Sequence, residues 1–162
     1  MSRDEIAFLV KNFHSRYLTI HEDSFNVIEK WKGFFKMLYL EMNTDNFVSR
    51  KVDVSRIGGF CVDLAHFKVE ATKWSAEFEY IFKRRAVSRY FKCNHLNGYS
   101  PKENIDIHRP RKITDFAYLK TLPNFLFGDV IALEMDNIIE EQLKFKKYIS
   151  RLLNNCFIKN SY

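Results

Sequence analysis

GGFCVDLAHFKVEA, residues 58–71, follows FVSRKVDVSR, residues 47–56. Both stretches are rich in Val, Phe and Cys, and the pair Gly58-Gly59 between them is a turn signal. The two runs therefore read as strands joined by a tight turn. Strands joined so closely run antiparallel, because a parallel pair needs a crossover of a dozen residues or more. This reading sets the expected fold class: α+β, with two N-terminal helices, a small antiparallel sheet, a basic helix and loop, and a long C-terminal helix.

N-terminal to the hairpin, residues 2–20 carry Ile6, Leu9, Val10, Phe13, Tyr17 and Ile20 at helical spacing. Ser2 with Glu5 three positions on forms a capping box. Asp23 or Ser24 caps a second helix through Ile28, Trp31, Phe35 and Leu38, interrupted by Gly33. C-terminal to the hairpin, EFEYIF alternates as a strand does, although Trp74, Phe78, Ile81 and Phe82 also suit a helix. A strand through about Phe82 and a helix from Arg84 is the expectation. Residues 96–115 hold Asn97-Gly98, Ser100-Pro101 and Arg109-Pro110 and read as a long loop. Asp129 caps a last helix over residues 130–154. Its seam is Ile131, Met135, Ile138, Phe145, Ile149 and Leu152, with Gln142 in the gap and Ile139, Leu143 and Leu153 widening it. The seam reads as core packing, with a homodimer contact through the 130–154 helix as the alternative.

The chain has 162 residues, which suits one domain over residues 1–162 and a core that needs no staples. Cys61, Cys93 and Cys156 are odd in number and widely spaced, which argues for a reducing intracellular (cytoplasmic) setting and against a disulfide framework. The N-terminus lacks the pattern of a signal peptide, and no apolar run is long enough for a membrane span.

Charge is local. Residues 1–81 hold eleven Lys or Arg against twelve Asp or Glu. Residues 82–120 hold ten against three, and residues 121–162 hold five of each. The net charge of +6 therefore resides in one quarter of the chain. A focal cationic patch creates a potential that scattered charge does not. Lys83, Arg84, Arg85, Arg89 and Lys92, joined by Arg109, Arg111 and Lys112, form a candidate nucleic-acid surface. Tyr90, Phe91 and Tyr99 are candidates to stack on unpaired bases.

Other chemistries find less footing. Asp53, Asp63, Glu70 and Lys73 lie on the expected hairpin, but Glu70-x-x-Lys73 sends its ends to opposite faces of a strand. Cys93-x-His95 and Cys61 with His66 lack structural zinc spacing. Neither GxxxxGK[ST] nor GxGxxG occurs, and no nucleophile elbow does. His14, His21, His66 and His108 have no assignable partner in the sequence. No catalytic residue, metal or cofactor is expected.

Arg89 to His95, spaced Arg-x5-His, and Arg16 to His21, spaced Arg-x4-His, resemble the Arg-x4–6-His motif of HEPN-type ribonucleases. The resemblance implies a helical, usually dimeric enzyme, with the His as acid or base and the Arg steadying phosphate charge. Tyr follows the Arg in both places where that family favours a polar residue, and the strand-like 47–71 segment departs from an all-helical fold. The function expected from the residues themselves is non-enzymatic binding of nucleic acid through residues 83–112. An interaction factor for an acidic protein partner, of the immunity, anti-defence or adaptor type, is the alternative.

Overall fold

The computed structural model describes residues 1–42 and 47–158, with side chains through residue 154. Helix α1 (Arg3–Phe13) begins at the Ser2–Glu5 capping box and ends at His14, which is left-handed at φ 53°. The chain then enters β1 (Leu18–Ile20) and passes through 3-10 turns to β2 (Leu38–Leu40). Strand β3 (Gly59–Asp63) feeds directly into α2 (Leu64–Lys73), and α3 (Ala76–Phe82) follows. Strand β4 (Phe91–Leu96) leads into a short antiparallel pair, β5 (Gly98–Ser100) and β6 (Ile105–Ile107). Strand β7 (Val130–Leu133) and helix α4 (Ile139–Ile158) close the order.

The antiparallel hairpin expected at residues 47–71 does not form. Strands β1, β2, β3, β4 and β7 pair in that order, and every pairing is parallel, so the sheet is a curled half-barrel in a mixed α/β fold. The reason lies at Asp63. Its carboxylate accepts from the amides of Ala65 and His66 at 2.9 and 3.0 Å, which ends the strand and starts a helix within one residue. LAHFKVEA is thus the crossover helix that a parallel sheet requires, and Leu64, Ala65, Phe67 and Val69 are buried on it. Gly59 is not a hairpin turn. A Cβ there would sit 2.3 Å from the Tyr90 carbonyl oxygen, so glycine permits the close pairing of β3 with the start of β4.

Three further expectations change for related reasons. Residues 76–82 are helical, because Trp74, Phe78 and Phe82 meet one turn apart at 5.3 Å each, edge-to-face in the first pair and stacked in the second. The expected basic helix at 84–92 is a turn and one 3-10 turn that deliver Phe91 into the sheet beside Phe60, 5.7 Å away. Residues 130–133 are a strand rather than the start of the last helix. In α4, Phe145, Ile149 and Leu152 are core, while Ile139 and Leu143, with Ile138 just before the helix, are exposed. Cys156 lies outside the described side chains.

The two faces of the sheet differ. Leu38, Leu40, Phe60, Val62 and Leu96 belong to the main core, beneath the helices. The opposite face carries Tyr39, Cys61 and Cys93, with Tyr17 against them. Asn94 ties the sheet to the segment before β7. Its Nδ2 donates to the carbonyls of Val62 and Leu126, and its Oδ1 accepts from the Gly128 amide.

Candidate metal centre

Parallel strands end on one side, so whatever follows each strand gathers at one rim. Glu41 follows β2, Asp63 ends β3, His95 lies near the end of β4 and Glu134 follows β7. The backbone fixes them there. The Glu41 amide donates to Ile20 O at 2.9 Å, Asp63 is in register with His95, and the Glu134 amide donates to Leu96 O at 3.0 Å.

His95 Nδ1 lies 2.7 Å from Glu41 Oε1 and 3.3 Å from Glu134 Oε2. One ligand atom from each of the three residues falls within 4.8 Å of the others. That spacing suits a cation held at about 2.0–2.2 Å from nitrogen and carboxylate ligands. Glu134 Oε2 is buried without a hydrogen-bond partner among the described residues, and so is Asn97 Oδ1. Asn97 itself is wholly buried and donates to Asp63 Oδ2 at 3.0 Å. Burial, together with the charges of Glu134 and Glu41, pushes the Asp63 carboxyl up to about 6. Two carboxylates, Glu41 and Glu134, therefore face one imidazole, with Asp63 in register beside it on β3.

His95 is raised to about 11 by hydrogen bonds to Cys61 first and then to Glu41, against burial. Nδ1 faces the carboxylates, which leaves Nε2 for Cys61. The Cys61 thiol is lowered to about 6, chiefly by the Cys93 thiol and in smaller part by His95, while Cys93 is pushed up. Proton exchange at Nδ1 for a metal would keep this arrangement, since a metal-bound imidazole commonly donates its other N–H to a fixed partner. On the same face, His95, Cys61, Cys93, Arg16 and Tyr17 line a cavity of about 320 Å³.

Asp106 and His108 approach the same rim. The β5–β6 pair returns Ile107 beside Gly98, next to Asn97, and the Asp136 amide donates to His108 O at 2.7 Å. His108 Nε2 meets Asp106 at 3.2 Å. His66 is turned to Glu77 at 3.2 Å.

The cations singled out in the sequence fall into separate groups. Lys83 pairs with Glu79. Arg84 stacks 3.5 Å over the Tyr80 ring and Arg85 4.4 Å over Phe82. Arg89 and Lys92 line a cavity at the start of β4. Arg109 and Arg111 line another, beyond its end, with Lys112 adjacent in the chain. The length of β4 separates these groups by roughly 16 Å, at about 3.3 Å per residue. Tyr90, Phe91 and Tyr99 are buried, and Tyr99 donates to Asn104 Oδ1. Arg89 and His95 lie at opposite ends of β4, and Arg16 borders the cavity that holds His95.

Glu41, Asn97 and Glu134 were not singled out by sequence, and His95 and Asp63 were singled out for other chemistry. A faint signal exists. LYLE, FCVD and IALE each end a short apolar run in a carboxylate, which is how a parallel strand presents a rim ligand. Comparison with known protein families, with characterised proteins and with solved structures finds no match for this chain.

Proposed function

We propose that the protein is a divalent-metal-dependent hydrolase of phosphate esters, with the metal on Glu41, His95 and Glu134. The observation that carries the reading is the convergence of these three ligand atoms at the carboxyl rim of a parallel sheet. That rim is where enzymes built on parallel sheets place their chemistry. One imidazole with two carboxylates suits Mn²⁺ or Zn²⁺ and leaves coordination positions for water and substrate. A divalent cation held by Glu41, His95 and Glu134 would supply Lewis acidity, polarising a phosphoryl oxygen and acidifying a bound water.

Arg109, Arg111 and Lys112 support a phosphate ester as substrate, because they follow His108 directly at the same end of β4. The nucleic-acid contact expected of these cations then becomes substrate recognition. Asp63 and Asn97 act as positioning residues, the first tying the rim to α2 and the second orienting Asp63.

The test is metal stoichiometry followed by activity. Chelator-stripped protein should take up one Mn²⁺ or Zn²⁺ per chain and then hydrolyse bis(p-nitrophenyl) phosphate. Glu134→Gln should lose both. Absence of stoichiometric metal, or metal uptake indifferent to Glu134→Gln, overturns the reading.

A further inference from the structure

We propose that the cavity at the amino ends of the strands is a second site, for the dianionic phosphate of a phosphomonoester. It has a volume of about 650 Å³, within the range of small-molecule sites. Lys36, Arg56, Arg89 and Lys92 line it, and every charged residue on its wall is a cation.

The wall is assembled by the same topology that builds the metal rim, at the other end. Lys36 precedes β2, Ile57 and Gly58 precede β3, and Arg89 and Lys92 flank the start of β4. Countercharge is incomplete. Glu29 pairs with Arg56, and Asp129 lies 3.5 Å from Lys92 while accepting from the Tyr17 hydroxyl at 3.2 Å. Lys36 and Arg89 pair with no carboxylate among the described residues. Four cations thus face two carboxylates, and about two positive charges remain for a ligand. A phosphomonoester dianion carries close to that charge at neutral pH.

The geometry is preformed on two sides. A Cβ on Gly58 would stand 2.5 Å from the Lys36 carbonyl oxygen and 2.6 Å from the Tyr39 ring, so the floor is close-packed. Arg89 is held 4.3 Å over the Tyr90 ring, and its Nη2 donates to the Tyr90 hydroxyl at 3.1 Å. A guanidinium fixed in this way loses little freedom when it binds phosphate with two parallel bonds. Tyr39 adds a hydroxyl donor. Burial pushes the Tyr39 phenol up to about 12, so it stays a donor across the physiological range.

The phosphomonoester could be a free metabolite or the 5′ end of a nucleic acid, and the chemistry recognised is the same. The experiment is isothermal titration in EDTA at low salt, which silences the metal rim. The probes are AMP, a 5′-phosphorylated single-stranded oligonucleotide and the same oligonucleotide without its phosphate. AMP should bind saturably. Lys36→Gln and Arg89→Gln should each weaken it roughly 10-fold, the loss expected for one charge-assisted hydrogen bond. Arg109→Gln should leave it within about twofold. A 5′-phosphate preference in the oligonucleotide arm assigns the site to nucleic-acid ends, and AMP binding without it assigns the site to small molecules. No saturable AMP binding overturns the site, and so does AMP binding that neither Lys36→Gln nor Arg89→Gln weakens. Both variants are at exposed side chains, and retention of the wild-type melting temperature verifies that they fold.

Discussion

The carboxyl and amino rims of one curled sheet carry opposite charge. At the first, Glu41 and Glu134 flank His95, and Asp63 stands in register with it on β3. At the second, Lys36, Arg56, Arg89 and Lys92 border a cavity with no acidic wall. Strand direction produces the contrast. In an antiparallel sheet the residues before and after each strand would alternate along both edges, and the charges would mix. In a parallel sheet every strand start lies on one side and every strand end on the other. A sequence that places cations before strands and carboxylates after them therefore makes two sites of opposite sign.

The sharpest way to break this comparison is to remove a ligand from one rim and read the other. His95→Ala should reduce Mn²⁺ or Zn²⁺ affinity by more than the 10- to 100-fold typical of outer-shell changes. AMP binding at the amino rim should change by less than about twofold, since the sites lie roughly 16 Å apart along β4. Coupled loss at both rims would mean that they form one site.

The second test attacks what joins the rims. Asn94 sits mid-strand on β4, 1% exposed, and holds β3, Leu126 and Gly128 together through three hydrogen bonds. Asn94→Ala strands two carbonyls and one amide. Each buried group left unsatisfied costs about 1–3 kcal/mol, so a loss of roughly 3 kcal/mol or more is expected by urea denaturation. Metal and AMP affinity should fall together in this variant, unlike in His95→Ala.

How much of this was legible in the sequence can be told from particular residues. The Ser2–Glu5 capping box was, because capping is local and needs only two side chains three apart. The direction of β3 was not. Gly58-Gly59 is an equally good turn signal and close-packing signal, and only Tyr90, some thirty residues away, decides between them. The basic stretch misled for a similar reason. RRAVSRYFK, residues 84–92, has Arg85, Arg89 and Lys92 at helical spacing, yet Phe91 and Cys93 pair with Phe60 and Cys61, and burial between β3 and β7 outweighs local preference. The proposed metal ligands span residues 41 to 134 with no repeating interval. Their neighbourhood exists only once the strands are known to be parallel.

A pH series sharpens the acidic side of the comparison. His66 is raised to about 9, first by its hydrogen bond to Glu77, and Glu77 is raised to about 7 by burial. Both folded values exceed the unfolded ones, so the native state holds more protons than the unfolded state across the intervening range. Stability from this pair is complete below the unfolded values and is lost as pH rises through about 7 and then 9. Chelated wild type should therefore melt at progressively lower temperature from pH 6 to pH 9. His66→Gln with Glu77→Gln should flatten that slope. A wild-type melting temperature that rises over the same interval would contradict the pairing.

The smallest effect is expected from the cations that belong to neither rim. Lys83 is exposed and paired with Glu79 on the surface, and such pairs contribute about 0–1 kcal/mol. Arg84 and Arg85 lie over Tyr80 and Phe82 and donate to backbone carbonyls, so their charge is partly spent on the α3 terminus. Lys83→Gln with Arg85→Gln should shift stability by less than about 1 kcal/mol and leave metal and AMP affinities unchanged. Binding of an unphosphorylated single-stranded oligonucleotide is the discriminating measurement. Retention of that binding in the double variant, with loss on changing Arg109 and Arg111 to Gln, places nucleic-acid contact at the carboxyl rim beside the metal. Loss in the Lys83, Arg85 variant instead would identify the end of α3 as a third, separate cationic surface. The division of charge between two rims would then describe only part of the molecule.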